Sequence, residues 1–206
     1  MGLVYYLKQT GLGRQFKRML RAFPTKASQN RLLRMLRKLH PGELLQPPTL
    51  PEPYRLLHNA PGDEDRWLEL LNASGEFGYW SRERFHQEIG ATLLAAGGVF
   101  VARGNELVGC ASTCFMEQYK PYAILMYVTV LPEHRGQGLG QALVWETMRV
   151  ARQENYPGLL LHTEKHRYAA VRTYFQLGFL PQFGYEVAGQ RLWSDVLSRA
   201  LLNGFE

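Results

Sequence analysis

Three glycines at alternate positions, Gly136, Gly138 and Gly140, follow an apolar run, Ala123-Ile-Leu-Met-Tyr-Val-Thr-Val130, that stops at Leu131-Pro132. A turn without side chains lets backbone N–H groups point inward, and a helix start adds partial positive charge. From Leu139 onward, Ala142, Leu143, Val144, Met148, Val150 and Ala151 fall on one broad helical face, so a helix is expected there. Strand, glycine turn and helix in that order make an anion site suited to a phosphate or pyrophosphate. Arg135 stands at the rim, where its guanidinium would add a charged fork.

Two common nucleotide motifs do not fit. The P-loop needs a Lys after its glycines, and none follows here. The dinucleotide fingerprint needs Gly-x-Gly-x-x-Gly early in a long βαβ series, whereas here the spacing is Gly-x-Gly-x-Gly and roughly sixty residues remain.

Arg135-Gly-Gln-Gly138-Leu-Gly140 resembles the acetyl-CoA pyrophosphate loop of the GNAT superfamily of N-acetyltransferases. Pro132-Glu-His-Arg135 matches that family's lead-in. About thirty residues further on, Ala170-Val-Arg-Thr-Tyr174-Phe-Gln-Leu-Gly178-Phe179 resembles its Ala-x-x-x-Tyr-x-x-x-Gly-Phe helix. The resemblance covers residues 54–206. It implies a three-layer α/β fold with a mixed, mostly antiparallel sheet of about six to seven strands and helices on both faces.

The resemblance also implies a mechanism. A bulge would splay the strand before the loop, and the pantetheine of acetyl-CoA would pair with the backbone of Val128, Thr129 and Val130. The pyrophosphate would meet backbone N–H groups of Arg135, Gly136, Gln137, Gly138, Leu139, Gly140 and Gln141. A primary amine would attack the thioester directly, and Tyr174 would protonate the departing CoA thiolate. A phenol with a pKa of about 10 stays protonated at neutral pH and can donate to a thiolate whose acid has a pKa of about 8.5. Arg167 stands where many members carry an Asn beside CoA. Gly178 is expected to cap its helix in the left-handed conformation. Glu76, Glu117 and His162 are candidate general bases, whereas Glu133 and His134 belong to the generic lead-in. The segment Asn72–Trp80, with two glycines and three aromatics, falls where the family builds its acceptor pocket. No metal is implied. Two other classes stay open: an acyl-CoA-binding module without transfer activity, and a membrane- or nucleic-acid-associated protein.

That last class arises from the distribution of charge. Residues 1–42 hold ten Lys or Arg and no Asp or Glu, leaving fourteen basic against eighteen acidic residues, or −4, in the remainder. The overall charge of +6 therefore belongs to this arm. Within it, Phe16, Met19, Leu20 and Phe23 are helix-spaced, as are Leu32, Leu33, Met35, Leu36 and Leu39, with Pro24 between. Two short basic amphipathic helices are expected, a basic helical N-terminal extension. Such an arm suits an anionic membrane surface, nucleic acid, organelle import, or docking on its own domain or on a second subunit of a homodimer.

A proline-rich linker is expected over residues 43–53 and the catalytic domain over residues 54–206. With 46% hydrophobic residues, the chain can bury one good core. Its two cysteines, Cys110 and Cys114, form neither a disulfide framework nor a zinc site. With no membrane-spanning apolar stretch and no signal peptide visible, a soluble cytoplasmic protein is the default expectation. The expected elements are strands over 54–58, 98–102, 107–115, 122–130, 158–163 and 179–183. Helices are expected over 63–71, 81–89, from 139, over 168–177 and over 190–202, with Ser81 as a partial N-cap.

Overall fold

The computed structural model describes residues 32–40, 42–43 and 46–182, together with Trp193 and Val196. The elements run β1 Leu32–Lys38, β2 Tyr54–His58, α1 Glu64–Ser74, α2 Arg82–Phe85, β3 Leu93–Arg103, β4 Glu106–Cys114 and β5 Ala123–Val130. They continue with α3 Leu139–Gln153, β6 Gly158–Glu164, α4 Tyr168–Gln176 and β7 Leu180–Pro181. The seven strands form one mixed sheet in the order β2-β3-β4-β5-β6-β1-β7. The pairs β2–β3, β3–β4, β4–β5 and β1–β7 are antiparallel, and β5–β6 is parallel. A parallel pair needs a crossover, and α3 provides it.

The chain divides into two compact units, Arg37–Leu161 and a second made of Met1–Leu36 with His162–Glu206. In the larger unit, Trp67, Leu70, Leu71, Trp80, Phe85, Ile89, Phe100, Cys110 and Leu131 form one buried cluster. Cys110 faces α1 in this cluster. The neighbouring Gly109 faces Leu143 of α3, whose Cδ1 would stand 3.3 Å from a Cβ built at that position. Successive residues of a strand point to opposite faces, so α1 and α3 cover opposite sides of the sheet. That is the three-layer arrangement expected from the sequence. In the smaller unit, Val171, Tyr174 and Phe175 of α4 are buried, as are Phe179, Trp193 and Val196.

Most elements form where the periodicity places them. The oxygen of Ser81 accepts from the Arg84 amide at 3.2 Å, which is the partial cap expected. Beyond α2, residues His86–Gly90 make a wider π turn. Residues 32–39 depart from expectation: Leu32–Lys38 is strand β1, not the second basic helix. Met35 pairs with Pro181 and Leu36 with Leu180. Leu33, Met35, Leu36 and Leu39 are buried while Arg34 and Lys38 are exposed. Over so short a run the apolar residues fit either period, and pairing with β7 decides for the strand. The first expected helix of the arm lies outside the described residues, as does most of the C-terminal helix. Within that tail, Trp193 and Val196 are helical. Gln46–Pro53 contains neither helix nor strand. No helix among the described residues is long and apolar enough to cross a membrane.

Candidate functional site

The glycine turn begins with a 3-10 turn, Pro132–His134, in which His134 is buried. Nδ1 of His134 lies 2.9 Å from the phenol of Tyr54, and Nε2 of Gln137 donates to that phenol at 3.1 Å. The turn is thus tied down on both sides, by its lead-in and by its own second residue. Gly136 has φ +78 and Gly138 φ +77, a left-handed conformation that a side chain disfavours by roughly 1–2 kcal/mol. Gly140, inside the first turn of α3, has ordinary φ, and an added Cβ would meet nothing within 4 Å.

The internal fold therefore does not demand glycine at position 140, and its absent side chain leaves open space beside the first turn of the helix. The amide of Ala142 bonds the Gly138 carbonyl at 3.1 Å, closing the first helical ring. The amides of Leu139, Gly140 and Gln141 precede that ring and have no acceptor among the described residues. Buried Leu139 and Leu143 anchor the helix start, so the open amides are held still. A pyrophosphate fits this cradle in shape, charge and hydrogen-bonding character.

Arg135 differs in part from the sequence-based picture. Its amide bonds the Pro132 carbonyl at 3.3 Å, its Nε donates to the Val130 carbonyl at 2.8 Å, and its outer nitrogen pairs with Glu76. The guanidinium thus links the end of β5 to the segment following α1.

The strand leading into the turn is bulged. Cys110 pairs with Thr129 and Ser112 with Met126, so β5 spends three residue steps where β4 spends two. The extra residue sits at Tyr127, whose φ is 52. Pairing with β6 runs from Ala123–Leu159 to Leu125–Leu161, before the bulge. Val128 and Val130 remain half-exposed, whereas Thr129 is buried and its hydroxyl lacks a partner among the described residues.

Around the bulge lies a constellation that the sequence reading missed. The Tyr127 phenol donates to Glu88, and Nε of Arg84 donates to the same carboxylate at 2.8 Å. The Arg84 bond, seconded by the Tyr127 phenol, holds the Glu88 carboxyl below its usual range against the opposing effect of burial. Burial, and then Glu88, push the Tyr127 phenol up, so it remains a donor. Trp80 and Phe77 meet the Tyr127 ring edge-on at 4.8 and 5.5 Å. The expected aromatic wall thus has Phe77 and Trp80 packed inward, while Tyr79 is 81% exposed.

In the smaller unit, α4 ends as expected. Gly178 has φ +82, its amide bonds the Phe175 carbonyl, and the Phe179 amide bonds the Tyr174 carbonyl at 2.9 Å. This is the Schellman pattern of a left-handed glycine cap. Tyr174 is buried, its ring 5.7 Å from that of Phe179. Arg167 precedes the helix and lies 3.6 Å from Glu164. Desolvation, and then Arg34, lower the pKa of His162 on β6. Of the other base candidates, Glu76 pairs with Arg135, and Glu117 is exposed on a turn beside Lys120.

Residues 64–179 match the model of the acetyltransferase (GNAT) family. The chain belongs to this family. Among its relatives is a mycothiol acetyltransferase of Thermobispora bispora, 35% identical over 146 residues, a match covering 66% of this chain and 49% of the relative. The chain spans about half the length of the curated relatives it matches. A GCN5-related N-acetyltransferase from Sphaerobacter thermophilus superposes with a TM-score of 0.63 at 19% identity, covering 73% of this chain and 48% of that one. The ribosomal-protein-S18-alanine N-acetyltransferase of Escherichia coli superposes at 0.53 with 21% identity, covering 63% and 79%. These superpositions establish a shared fold. Members of the GNAT family use acetyl-CoA, and among the described residues of this GNAT chain no group of His, Cys, Asp and Glu could hold a metal ion.

Proposed function

We propose that this GNAT chain transfers the acetyl group of acetyl-CoA to a primary amine by direct attack. One observation carries the reading: the open space at Gly140 in the first turn of α3, beside amides that have no acceptor among the described residues. In this reading the amides of Gly136, Gln137, Gly138, Leu139, Gly140 and Gln141 hold the pyrophosphate. Arg135 acts from the rim while its own amide closes the preceding turn. The backbone of Val128, Thr129 and Val130, beyond the bulge, takes the pantetheine arm, and Arg167 lies near CoA.

Tyr174 supplies the proton for the departing thiolate. Its place in the Tyr-x-x-x-Gly-Phe helix, ended by the cap at Gly178, supports that role. A phenol suits the step because it is protonated at neutral pH yet acidic enough to donate to a developing thiolate. The amine reaches the thioester carbonyl uncharged. The new C–N bond forms as the C–S bond breaks, and the electron pair leaves with sulfur, which takes the Tyr174 proton. The nitrogen gives up one proton to solvent, and solvent returns one to the phenolate.

Titration calorimetry with acetyl-CoA tests the donor half. Saturable heat is expected from the intact chain and none from Gly138→Asp; no heat from the intact chain would sink the reading. A panel of amines, followed by release of free CoA, tests the acceptor half. Mycothiol-related amines belong in that panel because of the names the relatives carry.

A further inference from the structure

Beyond Leu125, among the described residues, β5 no longer pairs with β6, and its course depends on other contacts. The bulge residue is not glycine but Tyr127, with φ 52. Residues with side chains keep such a conformation only where their surroundings over-determine it.

Here one short segment, Phe77–Glu88, provides those surroundings. Trp80 stands edge-on to the Tyr127 ring with an interplanar angle of 88°, and Phe77 does the same at 83°. Glu88 accepts the phenol. Arg84 binds Glu88, lies over Trp80 with its guanidinium carbon 4.1 Å from the ring centroid, and donates to the carbonyls of Phe77 and Tyr79 at 2.9 Å. Each part of the set is fixed by another, so the ring of Tyr127 has one place to go.

A plainer role for Glu88 would be the general base that takes the proton of the amine. Its carboxylate already serves Arg84 and Tyr127, and its acidity is strengthened, which suits an anchor better than a base.

We propose that Glu88 and Arg84 are positioning residues, acting through Tyr127 to hold the β5 bulge and so to shape the backbone edge Val128–Val130 for the pantetheine arm of the acyl donor. The role rests on the donor site proposed above. It divides that site into a pyrophosphate half, which the glycine turn sets, and a pantetheine half, which the Tyr127 clamp sets.

Two ligands titrated into the full chain separate the halves. Acetyl-CoA carries the pantetheine arm; adenosine 3′-phosphate 5′-diphosphate keeps the pyrophosphate and lacks the arm. Tyr127→Phe, which keeps both ring contacts, and Glu88→Ala are expected to weaken acetyl-CoA about tenfold and leave the shorter ligand within about twofold. Glu88→Gln still offers the phenol an acceptor, so its acetyl-CoA affinity should stay within about threefold of the unmodified chain. Equal weakening of both ligands, or unchanged acetyl-CoA affinity in Tyr127→Phe and Glu88→Ala, would overturn the positioning role and leave the donor site standing. Failure of the unmodified chain to bind either ligand would overturn both.

Discussion

The phenol of Tyr54 lies 2.9 Å from Nδ1 of His134, joining the first residue of β2 to the lead-in of the glycine turn. Gln137 donates to the same phenol at 3.1 Å. His134 is buried, so removing the hydroxyl strands a polar atom. Tyr54→Phe is expected to cost about 1–3 kcal/mol in urea unfolding and to weaken acetyl-CoA. A variant as stable as the parent would show that the hydrogen bond does not support the turn.

Gly138 and Gly140 should respond in opposite ways to substitution. At Gly138 the backbone is left-handed, so Gly138→Ala should lose roughly 1–2 kcal/mol of stability. Gly140 has ordinary helical freedom and open space, so Gly140→Leu should keep or raise the melting temperature. The leucine would project into the space assigned to the pyrophosphate, and calorimetry should then find acetyl-CoA binding lost. Full binding by a stable Gly140→Leu chain would place the donor elsewhere.

How far these features can be read from sequence depends on how local they are. Strand, turn and α3 follow from periodicities within about thirty residues, and the Gly178 cap follows from one glycine after an amphipathic run. The strand β1 is different: Leu33, Met35, Leu36 and Leu39 suit either period, and a partner near residue 180 settles the matter. Tyr127 and Glu88 are 39 positions apart and meet only because a bulge turns one strand residue toward the π turn that follows α2. No spacing rule encodes that convergence. The short polar and aromatic cluster after α1 was its one trace in the sequence.

Tyr174→Phe tests the proton donor. The ring keeps its packing on Phe179 and the helix keeps its cap, so acetyl-CoA affinity should hardly move. With an accepted amine, kcat should fall on the order of 100-fold while KM for acetyl-CoA stays near that of the parent. Unchanged kcat would assign the proton to another donor.

The Glu88 clamp should also leave a mark on stability as pH is lowered. Arg84, and after it Tyr127, hold the Glu88 carboxyl below its usual value of about 4.3 in the folded chain. A folded-state pKa below the unfolded one means that the unfolded chain takes up protons first as pH falls. The stabilisation is therefore complete above about pH 4.3 and disappears as pH drops through the lowered folded value. Glu88→Gln removes the charge at every pH. The urea midpoints of parent and variant should differ most near neutrality and converge below about pH 4. A gap of constant size from neutral to acid pH would mean that the Glu88 charge contributes nothing to the clamp and that the amide merely packs less well.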